Sequence, residues 1–185
     1  DWPAKDVVRM LELAMYTGMR RGEIFKLEDR DADFAQDLIV LRSPKGGQTV
    51  SIPMSSRARA ILKEQIAWRD ANHPGSLYVF PGTGGGMRAT CTAAARIRQA
   101  AELPKEFRMF HGLRHHFAVT LANSGEFSLD MLGELLTHKD PAMTKRYGQF
   151  LPGTKKQASD RAAAILGADD SRLVAPETKN NKKAS

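Results

Sequence analysis

HGLRHHFAVTLANSGEFSLDMLGELLTHKDPAMTKRYG, residues 111–148, is the stretch whose reading decides the fold. It opens with His111 and Arg114 three residues apart, continues through His115 and His116, and closes on His138 and Tyr147, nine residues apart. Leu113, Phe117 and Leu121 recur with the period of a buried helix face. Ser128 is placed to cap a further helix that carries Leu129, Leu132, Leu135 and Leu136. Asp140-Pro141 marks another helix start, since Asp caps free N–H groups and Pro suits the first helical position; Gly148 is a suitable stop. Tyr147 is therefore expected at the end of a short helix, flanked by Lys145 and Arg146. A phenol held beside His and Arg side chains suits nucleophilic attack on a phosphate.

Upstream, residues 4–16 place Val7, Leu11 and Ala14/Met15 on one helical face. Thr17-Gly18 breaks that helix, and a second short one starts near Arg20 with Ile24, Phe25 and Leu27. Residues 33–53 change character: LIVLR and TVSIP flank Ser43–Gly47 as a β-hairpin with a Gly-rich tip, and a short strand near Ala32–Phe34 completes a small three-stranded sheet. Ser55 or Ser56 caps a helix with Ala58, Ile61, Leu62, Gln65 and Ile66 inward, ending at Asn72–Gly75. LYVF (77–80) reads as a short buried segment, PGTGGG as a loop, and Thr90 as the start of a helix with Ala94, Ile97 and Ala101, broken at Leu103-Pro104. A last helix, about 154–166, precedes a polar tail, residues 167–185, with little to bury. Helices, a small sheet, then helices again make a mostly α domain of α+β class over residues 1–166.

The bulk properties agree with this reading. At 185 residues the chain is long enough for a sizeable core, and its composition is that of a globular protein. Net charge +7 and a pI near 9.7 favour a polyanionic partner. The single Cys91, in the setting TCTAAARI, excludes an internal disulfide and a multi-cysteine zinc site and reads as a small structural residue. No apolar run is long enough to span a bilayer and no signal peptide precedes the first helix, so the cytoplasm is the expected compartment. The chain opens at Asp1 within a helical pattern, from which a fragment lacking its natural N-terminal part is expected.

Taken together, TGMRRGEI (17–24), Lys45 in a hairpin turn, HGLRH (111–115), LLTHKD (135–140) and Tyr147 resemble the catalytic domain of the tyrosine recombinases, in particular the phage-type integrases. The matches occur in family order, from the first helix to about residue 150. The resemblance implies a helical catalytic domain with a small three-stranded antiparallel sheet and a role for each matched residue. Arg20 and Arg114 resemble the two arginines that grip the scissile phosphate. His111 and His138 resemble the histidines that hydrogen-bond its oxygens, and Lys45 the lysine that protonates the leaving 5′-oxygen. Glu23 resembles the acid that supports the first arginine, and Tyr147 the nucleophile that forms a 3′-phosphotyrosine link. His115 reads as a semi-buried support. The implied partners are double-stranded DNA attachment sites and, on DNA, three further copies of the chain in a homotetramer joined through C-terminal segments; the free fragment is expected to be a monomer. No cofactor, metal or membrane is implied. The family's N-terminal DNA-clamping domain has no counterpart in the stretch, and Thr137 stands where many members have Gly.

The chemistry is consistent with those roles. A free phenol titrates near pH 10, so ionising one at pH 7 costs about 4 kcal/mol, and nearby cations lower that cost. Attack on a phosphodiester adds charge to the non-bridging oxygens, which planar guanidinium groups match; in related oxyanion sites each lost donor costs about 2.7–4 kcal/mol. The departing alkoxide is strongly basic and needs an acid.

Other readings stand beside this one. Arg20 and Arg21 fit a solvated basic helix start, with Arg21 on the surface or against a DNA backbone, and Lys26 is the other lysine near the first motif. His111 and His115, four apart, have a zinc-like spacing without an evident third ligand. His116 is expected in solvent. Tyr16 and Tyr78 read as core. Gly84–Ala89, GGGMRA, loosely fits a dinucleotide-binding turn but lacks the second parallel strand with an acidic end, so a flexible turn fits better. At the level of function, a type IB topoisomerase-like activity and a non-catalytic DNA-binding module on the same fold are the alternatives to a recombinase.

Overall fold

The computed structural model describes residues 4–42, 49–151 and 155–166. Helix α1 (Lys5–Thr17) buries Val7, Met10, Leu11, Leu13, Ala14 and Thr17, a wide apolar face at helical spacing. It ends at Gly18, whose N–H donates to the Ala14 carbonyl at 3.0 Å in the left-handed conformation, φ +65°. Helix α2 (Arg21–Lys26) follows, turning Ile24 and Phe25 inward. Strands β1 (Ala32–Asp33), β2 (Leu38–Leu41) and β3 (Val50–Pro53) form an antiparallel sheet in the order β1-β2-β3, with Ile39 opposite Ile52 and Leu41 opposite Val50. Alternation puts Ile39, Leu41 and Ile52 into the core and leaves Ser51 exposed. The expected hairpin tip, with Lys45, lies outside the described residues, as does the polar tail.

Helix α3 (Ser56–Asn72) is capped by Ser55, whose Oγ accepts the Ala58 N–H at 3.2 Å. Helix α4 (Thr92–Ala100) starts two residues later than the sequence pattern suggests and leaves Ala101, expected on its apolar face, exposed. Helix α5 (Met109–Ser124) begins two residues before His111. Helix α6 (Leu129–Leu135) is capped by Ser128 Oγ, which accepts the Met131 N–H at 3.1 Å. Helix α7 (Ala142–Lys145) is a single turn, and Tyr147 lies just beyond it, leading into a 3₁₀ turn at Gly148–Phe150 rather than a stop at Gly148. The chain separates into two units at Leu151–Pro152, the second contributing helix α8 (Lys155–Ile165). Among the described residues no helix is long and apolar enough to cross a membrane.

Two expectations about burial change. LYVF is not uniformly buried: Val79 and Phe80 are in the core, while Leu77 is 67% exposed and Tyr78 is half-buried, because the segment pairs only through one bridge to Glu28. Tyr16 is not core either; it lies off the buried face of α1 and is 43% exposed, with the Arg57 guanidinium 5.8 Å from its ring centroid. The GGGMRA stretch is a turn pinned by Arg88, which donates to Asp6 Oδ2 at 2.6 Å and to the Pro81 carbonyl at 2.7 Å.

Two apolar clusters make up the interior. The larger joins α1, α2, the sheet and α3 and extends to Phe110; the smaller consists of Ala118, Ala122, Leu132, Leu136 and Tyr147, with Phe117, Leu121 and Leu129 packed against it. Helix α5 belongs to both. Its buried residues, Phe110, Arg114, Ala118 and Ala122, fall four apart on one stripe, so the charged member sits between the two clusters. Gly18 faces this helix: a Cβ there would lie 2.7 Å from Phe117 Cδ1. Gly18→Ala is therefore expected to lower the unfolding free energy by about 1–3 kcal/mol. A urea transition unchanged from wild type would contradict that close approach.

Candidate active site

The site is assembled where helices end. The last carbonyls of a helix have no partner inside it and carry partial negative charge. At the end of α1 the Gly18 carbonyl accepts a hydrogen bond from Arg114 Nη1 at 2.6 Å. At the end of α6 the Leu136 carbonyl accepts one from Arg114 Nη2 at 2.5 Å. One guanidinium thus joins two helix C-termini. Arg114 is 7% exposed, and burial, followed by the charge of Arg20, lowers its pKa to about 10, so it stays protonated at neutral pH. Its hydrogen-bond partners are carbonyls rather than carboxylates, so two of its five N–H donors are engaged while its positive charge is not cancelled by an ion pair.

Helix α6 ends in a Schellman turn. Thr137 N–H donates to the Glu134 carbonyl and His138 N–H to the Gly133 carbonyl, both at 2.9 Å, with Thr137 left-handed at φ +52°. The turn delivers His138 beside the arginines. Thr144 Oγ1 lies 2.8 Å from His138 Nδ1, and its approach depends on Gly133, where a Cβ would stand 3.1 Å from that oxygen. His138 Nε2 is buried and has no partner. Burial, then the charges of Arg114, Arg20 and Arg146, lowers the His138 pKa to about 4, so the imidazole is neutral at pH 7.

Arg20 precedes α2. Glu23 holds it twice: Oε2 accepts the Arg20 backbone N–H at 2.7 Å and Oε1 accepts Nη1–H at 2.9 Å. The same Nη1 donates to Thr137 Oγ1 at 3.0 Å. Its side chain is 29% exposed, with Nε and Nη2 unpartnered among the described residues. Both arginines line an open cleft of about 660 Å³ with Arg21, Arg98, Lys105, Arg108 and His111, against one carboxylate, Glu106. His111 is exposed, and burial of its ring followed by the charge of Arg108 lowers its pKa. Gly112 lets Phe107 lie across this part of α5; a Cβ would be 2.2 Å from Phe107 Cζ. Cys91 also borders the cleft, and burial pushes its thiol pKa up, as befits a structural cysteine.

Tyr147 is 1% exposed, in the second cluster. Its ring lies parallel to His138 at 6.5 Å between centroids and 5.6 Å from His115. Its hydroxyl accepts a hydrogen bond from Arg146 Nη2 at 3.0 Å, and the Arg146 guanidinium lies 4.9 Å from the ring centroid. His115 is exposed rather than semi-buried, one position off the buried stripe of α5, and it flanks Tyr147 and Phe150 with its ring. His116 is exposed as expected.

The structure thus brings together Arg20, Glu23, Arg114, His138 and Tyr147, with His111 and His115 on the adjoining face of α5; Lys45 lies outside the described residues. Sequence reasoning passed over Thr144, which touches His138, and named Arg146 only as a neighbour in sequence of Tyr147, which it touches. Arg146 had a signal, its adjacency to Tyr147. Thr144 had none, being six positions from its partner. Among the described residues no three His, Cys, Asp or Glu side chains converge as metal ligands.

Comparison with known proteins places this geometry in context. The sequence model of the phage integrase family matches residues 5–152. Tyrosine recombinase XerC of Xanthomonas campestris pv. campestris (strain B100) is 36% identical over 143 residues, 75% of this chain and 42% of the relative. Tyrosine recombinase XerC of Azotobacter vinelandii is 32% identical over 168 residues, 88% of this chain and 55% of the relative. The chain therefore spans about half the length of the curated relatives it matches. Among solved structures, the Tn1549 transposon integrase in complex with transposon right end DNA superposes with a TM-score of 0.70 at 19% identity, covering 90% of this chain and 60% of that one. The XerH site-specific recombinase bound to palindromic difH substrate gives 0.66 at 23% identity, covering 85% and 45%. The catalytic domain of bacteriophage HP1 integrase gives 0.57 at 22% identity, covering 89% of this chain and 96% of that one. These structures share the fold, and with the family match over residues 5–152 the chain belongs to the phage integrase family.

Proposed function

We propose that this chain is the catalytic part of a site-specific DNA recombinase, the integrase of a phage or other mobile element. In this reading it cleaves and rejoins double-stranded DNA through a covalent 3′-phosphotyrosine. The observation that carries this reading is the convergence of a neutral His138 with a free buried Nε2, an uncancelled Arg114, and the phenol of Tyr147 at the ends of two helices. The XerH and Tn1549 integrase structures, each bound to DNA, support DNA as the partner.

The roles follow from the chemistry of each group. Arg114 and the open edge of Arg20 grip the non-bridging oxygens of the scissile phosphate, and His138 Nε2 and His111 hydrogen-bond them. Tyr147 Oη attacks phosphorus: the bond to Oη forms and the bond to O5′ breaks. His111 takes the phenolic proton and Lys45 supplies the proton to the departing O5′. The phosphotyrosine retains the energy of the broken ester, so a 5′-hydroxyl can attack it and reseal the strand without ATP. Glu23 supports Arg20, and His115 supports Tyr147. Neither a metal nor a cofactor has a role in these steps. Since Tyr147 is buried, attack requires it to leave its contacts with the second cluster. Productive recombination uses a homotetramer on two duplexes, linked by C-terminal segments, with the free chain monomeric and residing in the bacterial cytoplasm.

The test is a nicked duplex from the element's own ends, incubated in EDTA and scored for a protein–DNA adduct on a denaturing gel. Wild type is expected to form the adduct, Tyr147→Phe to form none while still binding DNA, and Arg20→Ala to cleave about 10²–10³-fold more slowly. An adduct with Tyr147→Phe would rule out this nucleophile, and sequence-independent relaxation of supercoils would favour the topoisomerase-like reading instead. Binding should also weaken with salt, log affinity falling by about 0.9 per phosphate contact per log unit of salt. An affinity indifferent to salt would count against backbone contacts.

Neutrality of His138 has its own signature. Its folded pKa, about 4, lies below the ordinary value of 6.5. Between those values the unfolded chain binds more protons, so stability rises with pH. The contribution is present above about pH 6.5, is lost as pH falls towards 4, and changes no further below that. His138→Gln is expected to flatten this part of a plot of urea midpoint against pH; an unaltered slope would place the effect on another group.

A further inference from the structure

Thr137 stands in a backbone conformation that a β-branched residue rarely adopts. It occupies the first position past the end of α6, φ +52°, where the Schellman turn favours glycine because a Cβ crowds the left-handed backbone. Among the described residues, the two other non-glycine residues with positive φ are Asp37 and Glu102, neither of them β-branched. Strain of this kind persists only where other contacts hold it. Here the contact is the side chain itself: Thr137 Oγ1 accepts a hydrogen bond from Arg20 Nη1 at 3.0 Å, across 117 positions of sequence.

The geometry of Arg20 explains what the contact achieves. A guanidinium held by one acceptor pivots about that bond. Nη1 carries two hydrogens; one goes to Glu23 Oε1 and the other to Thr137 Oγ1. Two oxygens on different elements fix the plane, and the Nε and Nη2 edge is left without partners among the described residues. The flanking residues serve the same place: the Leu136 carbonyl takes Arg114, and His138 presents Nε2. Leu136-Thr137-His138 thus addresses both arginines and supplies the imidazole.

We propose that Thr137 is a positioning residue whose hydroxyl orients the guanidinium of Arg20 towards the phosphate, at the expense of a strained helix cap. The inference rests on the phosphate-gripping role given to Arg20 above, although the orienting contact itself does not depend on catalysis.

Three substitutions separate the hydroxyl from the strain. Thr137→Gly removes both, Thr137→Val removes the hydroxyl alone, and Thr137→Ser keeps it. Each is compared with wild type by urea midpoint, single-turnover cleavage of nicked DNA, DNA affinity, and the NMR-measured rotation rate of the Arg20 guanidinium without DNA. Thr137→Gly should unfold at higher urea yet cleave about tenfold more slowly or worse, the scale of one lost hydrogen bond to a charged group, with little change in affinity. Thr137→Val should lose as much cleavage without gaining stability, and Thr137→Ser should stay close to wild type. Arg20 should rotate faster in the Gly and Val variants than in wild type and Ser. Wild-type cleavage by the Gly or Val variant with unchanged rotation would overturn the inference, as would a Ser variant as slow as Val. Should wild type itself form no adduct, the proposed function falls, and the rotation rates alone decide whether Thr137 orients Arg20.

Discussion

The structure depends on one buried cation. Arg114 lies between the carbonyls of Gly18 and Leu136 and so ties the end of α1 to the end of α6. Removing a guanidinium from water costs several kcal/mol, and a carboxylate would offset that by forming an ion pair. Here the offset comes from short bonds to carbonyls at helix C-termini, whose dipoles favour positive charge. Carbonyls anchor the guanidinium through two of its donors and leave the net charge in place. A residue that must hold the fold and still attract an anion is better served by such partners than by Asp or Glu. Arg69 shows the contrast: it is as buried as Arg114, but it is paired with Asp29 and Asp70 and remote from the cleft.

The surroundings follow from that placement. The stripe of Phe110, Arg114, Ala118 and Ala122 puts the charge on the core side of α5, while His111 and His115 fall on the neighbouring surface. Burial, and after it the positive charge around His138, keeps its imidazole neutral, so it offers hydrogen bonding without adding to the repulsion. Among the described residues Glu23 is the one carboxylate bonded to either arginine of this centre, and it binds the backbone of Arg20 as well as its side chain.

Much of this was legible in sequence, and the rest was hidden for physical reasons. Periodicity and caps are local, so α1, α3 and α6, with Ser55 and Ser128 as caps, follow from spacing alone. The β2–β3 pairing follows from the alternation of the two apolar runs. The motif residues other than Lys45 lie together or on adjoining faces because α5 carries Arg114 to the ends of α1 and α6, next to Arg20 and His138. Burial of single aromatics was harder to read. Tyr16 and Leu77 look apolar in sequence yet face outward, because neither lies on a face that another element covers. Tyr147 is fully buried because α5 and α6 meet around it, a contact no local pattern encodes. Nor could motifs name the partners of Arg114, which are main-chain carbonyls contributed by Gly18 and Leu136 whatever their side chains. The left-handed turn at Thr137 was foreshadowed only by the departure from glycine.

The bond between Arg114 and Gly18 also bears on how the molecule comes to be active. It spans 96 positions, and the bond to Leu136 spans 22 in the other direction. Contacts of high sequence separation form only after the intervening loops have closed, and that closure is what slows folding. Helices α1, α5 and α6 can each form early from local pairing, but the guanidinium meets its two carbonyls only when all three are docked. A chain emerging from synthesis, or one partly unravelled by heat or a protease, has its tyrosine and its basic residues without the centre that brings them together. On the proposed function, strand cleavage is thereby reserved for the completely folded molecule.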